Sequence, residues 1–151
     1  MSIDARLAEL NITLPDAPAP AANYVPYVIS GKLLFVSGQI SAGPDGLIRG
    51  KLGDGVDVAA GAAAARACGL ALLAQARAAL GSLDKVARVV KLTGFVNSTP
   101  DFTDQPEVVN GCSDLMVEVF GDKGRHARAA VSAASLPRGV AVEVEAIFEI
   151  A

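Results

Sequence analysis

Tryptophan is absent from this chain, and aromatic residues of all kinds make up only 5% of it. A core without large rings is filled by Ala, Val and Leu, which bring secondary-structure elements close together. Cationic side chains are also few: 13 Lys and Arg against 16 Asp and Glu leave a formal net charge of −3 and a pI near 5.1. A nucleic-acid partner is therefore not expected, because neutralisation of phosphates by a basic surface supplies most of such affinity. Two cysteines, Cys68 and Cys112, and one histidine, His126, are too few for a structural zinc site, and no metal is expected. Both cysteines fall inside helical patterns and read as small buried hydrophobes of a reduced, cytoplasmic protein. Asp4, Arg6 and Glu9 interrupt the start of the chain, so it lacks the apolar core of a signal peptide. Arg66, Gln75 and Arg77 break the alanine-rich tracts, and no membrane span is expected. Walker-type loops, paired CxxC, HExxH and GxSxG motifs are all missing.

What is present is hydrophobic: 52% of 151 residues, enough for the core of one domain spanning 1–151, with 1–20 as an N-terminal extension. Ile3, Leu7 and Leu10 suggest a short helix over 2–10, and Pro15, Pro18 and Pro20 an extended stretch after it. Val25–Ile29 and Leu33–Ser37 predict a hairpin turning at Ser30-Gly31. A short strand is expected near Leu47–Lys51, after a tight turn at Pro44-Asp45-Gly46. A helix follows from 56 or 57 to Leu80, closed by Gly81, with a narrow buried face of Val58, Ala62, Ala65, Gly69, Leu72, Ala76 and Leu80. Val86–Val96 is β-branched and predicts a central strand. Pro106 marks the first turn of a second helix to Phe120, with Val108, Cys112, Leu115 and Val119 as its inner stripe. Ala127–Ser132 and Val140–Ile150 close the chain as strands, the second alternating Val142, Val144, Ala146 and Phe148 with Glu143, Glu145 and Glu149. Two helices on one face of a sheet make a two-layer α/β sandwich whose other face is bare. That face is too hydrophobic to be left to water and asks for a partner subunit.

Candidate chemistry sits at strand ends. Arg128 opens a strand of small residues, where it either snorkels to solvent or offers a fixed guanidinium fork to a carboxylate. Glu143 is one of three glutamates on the outer face of the last strand. Ser37-Gly38-Gln39 ends an apolar strand with a small, polar turn. Tyr24 stands before the first strand as a half-buried anchor. His126 is expected as a surface histidine in the loop before a strand.

Three stretches carry a resemblance. Asn23–Gln39, with LLFVSGQI at Leu33–Ile40, is similar to the opening hairpin of the RidA/YjgF family, and GSLDKVARVVKLTGFVNS at Gly81–Ser98 to its central strand with the preceding turn. HARAAVSAASLPRGVAVEVEAIFEIA at His126–Ala151 resembles the family's arginine strand, Leu-Pro turn and V-E-V-E-A ending. The extended N-terminus and FEIA tail resemble a longer, divergent branch. The resemblance implies a chorismate-mutase-like fold with a mixed sheet, a homotrimer with clefts between subunits, and no cofactor. It also implies hydrolysis of reactive imines or enamines bearing a carboxylate, such as 2-aminoacrylate, to 2-keto acids and ammonia. Matched by position, Arg128 would bind the carboxylate, Glu143 would position water, and Tyr24, Ser37 and Asn110 would line the cleft. Ala130 stands where many relatives have a cysteine, which changes the pocket more than the chemistry. An endoribonuclease and a non-catalytic ligand-binding or chaperone-like trimer are the alternative functions.

Overall fold

The computed structural model describes residues 1–17 and 23–151, so Pro18 and Pro20 lie outside the described residues. The chain begins with α1 (Ile3–Glu9), capped by Ser2, whose side chain accepts from the Ala5 amide. β1 (Tyr27–Ser30) and β2 (Leu33–Ile40) form the expected hairpin, but the turn is Gly31-Lys32, with Gly31 at φ 61°. A two-residue hairpin favours positive φ at its first central residue, which only glycine adopts without strain. The expected strand near 47–51 is instead a set of two-residue pairs: β3 (Ala42–Gly43) with β4 (Gly46–Leu47), and β5 (Lys51–Leu52) with β6 (Gly55–Val56). Gly46, Gly50, Gly53 and Gly55 all take positive φ here, so the backbone turns too often to extend.

Then follow α2 (Val58–Leu80), β7 (Val86–Asn97), α3 (Gln105–Phe120), β8 (Ala127–Ala133) and β9 (Val142–Ile150). The five long strands form one mixed sheet in the order β1-β2-β9-β7-β8, in which only β7 and β8 are parallel. The middle place therefore belongs to β9 rather than β7. The reason is topological: α3 carries the chain from β7 to its parallel neighbour β8, leaving the other edge of β7 to β9. Val142, Val144, Ala146 and Phe148 turn toward the helices and are buried, as the alternation implies.

The largest departure concerns α2. Its buried surface is not a narrow stripe but includes Gly61, Ala64, Ala65, Cys68, Gly69, Ala71–Ala76 and Leu80. Val58 and Ala62, placed on the stripe by periodicity, are only partly buried. The helix packs on the sheet and also along α3, so two faces are covered. By length and composition α2 could cross a membrane, yet more than half of its most apolar window is buried inside this fold.

Glycines set the distance between these layers. A Cβ on Gly111 would strike the backbone of Ala62, with the Ala62 carbonyl carbon only 2.7 Å away. A Cβ on Gly69 would meet Leu115 and Cys112, and one on Gly94 would meet Val109. Replacing a mid-helix glycine by alanine gains about 1 kcal/mol in helix propensity. At Gly111 that gain is outweighed, because a backbone cannot rotate away as a side chain can. Gly111→Ala is expected to lose about 1–3 kcal/mol net, the usual cost of overpacking, in urea or thermal unfolding.

Candidate functional site

The sequence candidates gather in two groups, not one. The first lies where β2 runs past the end of β1. Register shifts between Val36 and Gln39 as two residues, Ser37 and Gly38, bulge against β9. The Ser37 hydroxyl donates to the Val25 carbonyl at 2.8 Å, and its amide donates to Pro26 O at 2.9 Å, tying the Tyr24 segment to the bulge. Gln39, almost fully buried, folds back to donate from Nε2 to the Ser37 carbonyl at 2.9 Å. Glu143 stands opposite Ile40 on one side and Phe95 on the other. Its carboxylate lies over Gly38: a Cβ there would sit 3.1 Å from the Glu143 carboxyl carbon. Glycine at 38 is therefore what makes room for this acid.

A cavity of about 990 Å³ opens here, lined by Tyr24, Ser37, Gly38 and Glu143, and reaching Leu70 and Gln75 of α2. Arg138, at φ 58° in the Leu-Pro turn, also lines it, and sequence reasoning had taken it only as a turn residue. A non-glycine residue at this φ stores strain of order 1–3 kcal/mol and marks a position held by its surroundings. Gln75 was likewise missed. A polar residue within an alanine-rich helix gives no sign of facing a cavity until the helix has been placed.

Glu143 has no hydrogen-bond partner among the described residues. Burial, with a smaller contribution from the neighbouring Glu145 charge, pushes its pKa up from the ordinary glutamate value. A half-buried carboxylate of this kind can accept a proton from a bound water.

The second group lies on the helix face of the sheet. Arg128 sits beside Leu92 in the β7–β8 register and points toward α3. Its Nη1 donates to Asn110 Oδ1 at 2.7 Å and to Ser113 Oγ at 3.2 Å, one helical turn apart. Both protons of Nη1 are thereby used. Nε and Nη2 bond to none of the described residues, which leaves one complete edge of the fork open. His126 is not the loose surface residue expected. It is half-buried and bonded at both ring nitrogens, to Gly124 O at 2.6 Å and to Ser113 Oγ at 2.8 Å. Burial chiefly, opposed by the Gly124 carbonyl and helped by the Arg128 charge, lowers its pKa below the usual histidine value.

The two groups do not meet within one chain. Glu143 and Arg128 lie on opposite faces of the sheet, two strands apart and three residues along, roughly 14 Å between Cα positions from strand spacing and rise. Cys68 and Cys112 belong to neither group: both are unpaired and buried, and desolvation pushes the Cys112 thiol up to about 12. Among the described residues no cluster of three or more His, Cys, Asp or Glu is placed to hold a metal.

A mixed sheet with both long helices on one face, and polar groups at a bulged strand and a strand-edge arginine, define a chorismate-mutase-like α/β sandwich. Residues 4–148 match the family described as "YjgF/chorismate mutase-like, putative endoribonuclease", and the chain belongs to this RidA/YjgF family. Protein TCP17 of Trypanosoma cruzi is 55% identical over 150 residues, covering 98% of this chain and 94% of that protein. The crystal structure of Atu1372, a protein of unknown function from Agrobacterium tumefaciens, is 50% identical with a TM-score of 0.90, covering 99% of this chain and 94% of the other. E. coli TdcF, crystallised with bound serine, is 28% identical with a TM-score of 0.64, over 88% of this chain and 92% of TdcF.

The Glu143 environment gives a measurable expectation. Its carboxyl, followed by carbon-detected NMR, should titrate above the ordinary glutamate value of 4.5. Glu145→Gln removes a neighbouring negative charge and should lower that midpoint. Because burial is the larger cause, the midpoint should remain above 4.5. A Glu143 midpoint at or below the ordinary value would mean the carboxylate is solvated.

Proposed function

We propose that the protein hydrolyses small 2-imino or enamino acids, such as 2-aminoacrylate, to 2-keto acids and ammonia. The observation that carries this reading is Arg128, held by α3 through Nη1, with its Nε–Nη2 edge bonded to none of the described residues. A planar fork fixed in this way matches a carboxylate through two parallel bonds, which a lysine cannot reproduce. The serine bound to TdcF is consistent with a ligand of amino-acid type. Among the described residues, Val28, Phe35 and Val131 on the bare sheet face are 50%, 40% and 44% exposed. A homotrimer packed through that face would bury them and bring Arg128 and Asn110 of one subunit toward Tyr24, Ser37 and Glu143 of the next.

In the proposed reaction the enamine first tautomerises to the imine. Arg128 holds the substrate carboxylate, which fixes the imine carbon in front of a water and removes part of the entropic barrier. As the water oxygen bonds to the carbon of the N-protonated imine, Glu143 takes one water proton and the C=N π pair becomes the nitrogen lone pair of a neutral carbinolamine. Glu143 then delivers its proton to the amine, and the ionised Glu143 takes the hydroxyl proton and passes it on to the departing ammonia. The C–N bond breaks, C=O forms, and the balance is one water consumed and one ammonia released. A base whose pKa burial has raised accepts the proton more readily.

The test is ammonia release from enzymatically generated 2-aminoacrylate, set beside pyruvate binding and a metal-free RNA cleavage assay. Turnover is expected for the wild type. Arg128→Lys should lose at least about tenfold in kcat/KM, since a charge-assisted hydrogen bond contributes about 1.5–3 kcal/mol. Pyruvate binding without ammonia release would favour a non-catalytic ligand-binding role, and RNA cleavage alone would favour the endoribonuclease.

Assembly is tested separately. At micromolar concentration the protein should sediment as a trimer. A stable monomer would keep Arg128 and Glu143 on opposite faces of the sheet and would remove the composite cleft.

A further inference from the structure

Arg128 is held by more than Asn110, and the atoms behind it form a directed chain. The Gly124 carbonyl can only accept, so His126 Nδ1, 2.6 Å away, carries the ring proton. In a neutral imidazole Nε2 is then a bare acceptor. Ser113 Oγ, 2.8 Å from Nε2, must donate its hydroxyl proton there. With that proton committed, the lone pairs of Oγ are left facing Arg128 Nη1 at 3.2 Å. Were the ring reversed, the hydroxyl would be free to turn its proton toward the guanidinium, and the contact would be lost. Burial and the Arg128 charge both favour the neutral ring this arrangement requires.

Resting on the proposed carboxylate-docking role of Arg128, we propose that Ser113 and His126 are its positioning residues. The imidazole directs the Ser113 hydroxyl, and the hydroxyl with Asn110 pins Nη1, so that the Nε–Nη2 edge is presented as a two-bond seat for the carboxylate of a 2-imino acid. Neither residue touches the substrate. Both act through the guanidinium, so their effect falls on binding more than on the chemical step.

His126 is the only histidine, which makes its imidazole signals unambiguous. Long-range nitrogen NMR of the whole protein at neutral pH should show the proton on Nδ1 and none on Nε2. The opposite tautomer would overturn the proposal. Ser113→Ala should raise the pyruvate Kd and the KM for 2-aminoacrylate about fivefold, with kcat changed less than about twofold, as loss of one hydrogen bond implies. Ser113→Thr returns the hydroxyl and should restore both constants, which loss of fold would not allow. His126→Phe keeps the ring but removes the acceptor and should raise the Kd in the same direction. If wild type binds pyruvate and Ser113→Ala binds it equally well, the positioning role fails while the deaminase reading stands. If wild type neither binds pyruvate nor releases ammonia, the docking role of Arg128 fails and this inference goes with it.

Discussion

The fold hangs on the close approach of α2 and α3, made where Gly111 meets the backbone of Ala62 and Gly69 meets Cys112 and Leu115. Dispersion between any two atoms is worth only about 0.1–0.2 kcal/mol, so such an interface holds by the number of contacts that small residues permit. The same approach positions the arginine group. Gly111 lies between Asn110 and Ser113, the two residues that hold Nη1 of Arg128. Gly94 lets Val109 settle onto β7, beside β8, so α3 is fixed against the strand pair from below as well as against α2 from the side. Core packing and the placement of Arg128 therefore share one set of contacts.

The sheet has a second consequence: it is a partition. Side chains alternate across a strand, so Arg128, level with Leu92, and Glu143, level with Phe95, cannot reach the same volume in one chain. Rotamer changes of either residue cannot overcome a sheet between them. A chain with these two groups can use them separately, or it can use them together through a second copy. The bare sheet face, with Phe35 and Val131 exposed on it, gives a physical reason for a second copy that is independent of the chemistry.

Much of this architecture is legible in the sequence because it is periodic. The alternation from Val142 to Ile150 assigns both faces of β9, and the stripe from Val108 to Val119 assigns the inner side of α3. α2 misleads because alanine is accepted on any face. A helix covered on two sides, in a sequence of alanines, has no contrast from which periodicity can be read. For the candidate site, the resemblance nominates Arg128, Asn110, Tyr24, Ser37 and Glu143, but not their division into two groups. Nothing local could reveal that division, since it follows from strand order. His126 was misread for a related reason: its partner Ser113 is thirteen residues away and on another element, so the bond exists only once α3 has packed.

Electrostatically the two groups are built in opposite ways, and this suits opposite tasks. Arg128 is surrounded by neutral acceptors, Asn110 Oδ1 and Ser113 Oγ, with no carboxylate in hydrogen-bond reach among the described residues. A carboxylate partner would hold the guanidinium equally well but would compete with an anionic ligand for its charge; neutral acceptors orient it and leave the charge unspent. Glu143 is the reverse: no cation among the described residues bonds to it, so burial acts without compensation and raises its proton affinity. A salt bridge there would lower that affinity and make it a poorer base. Glycine at 38 completes the arrangement by leaving space for the carboxylate. Among the described residues, Arg128 is thus oriented without a counter-charge, and Glu143 is kept more basic than an ordinary glutamate.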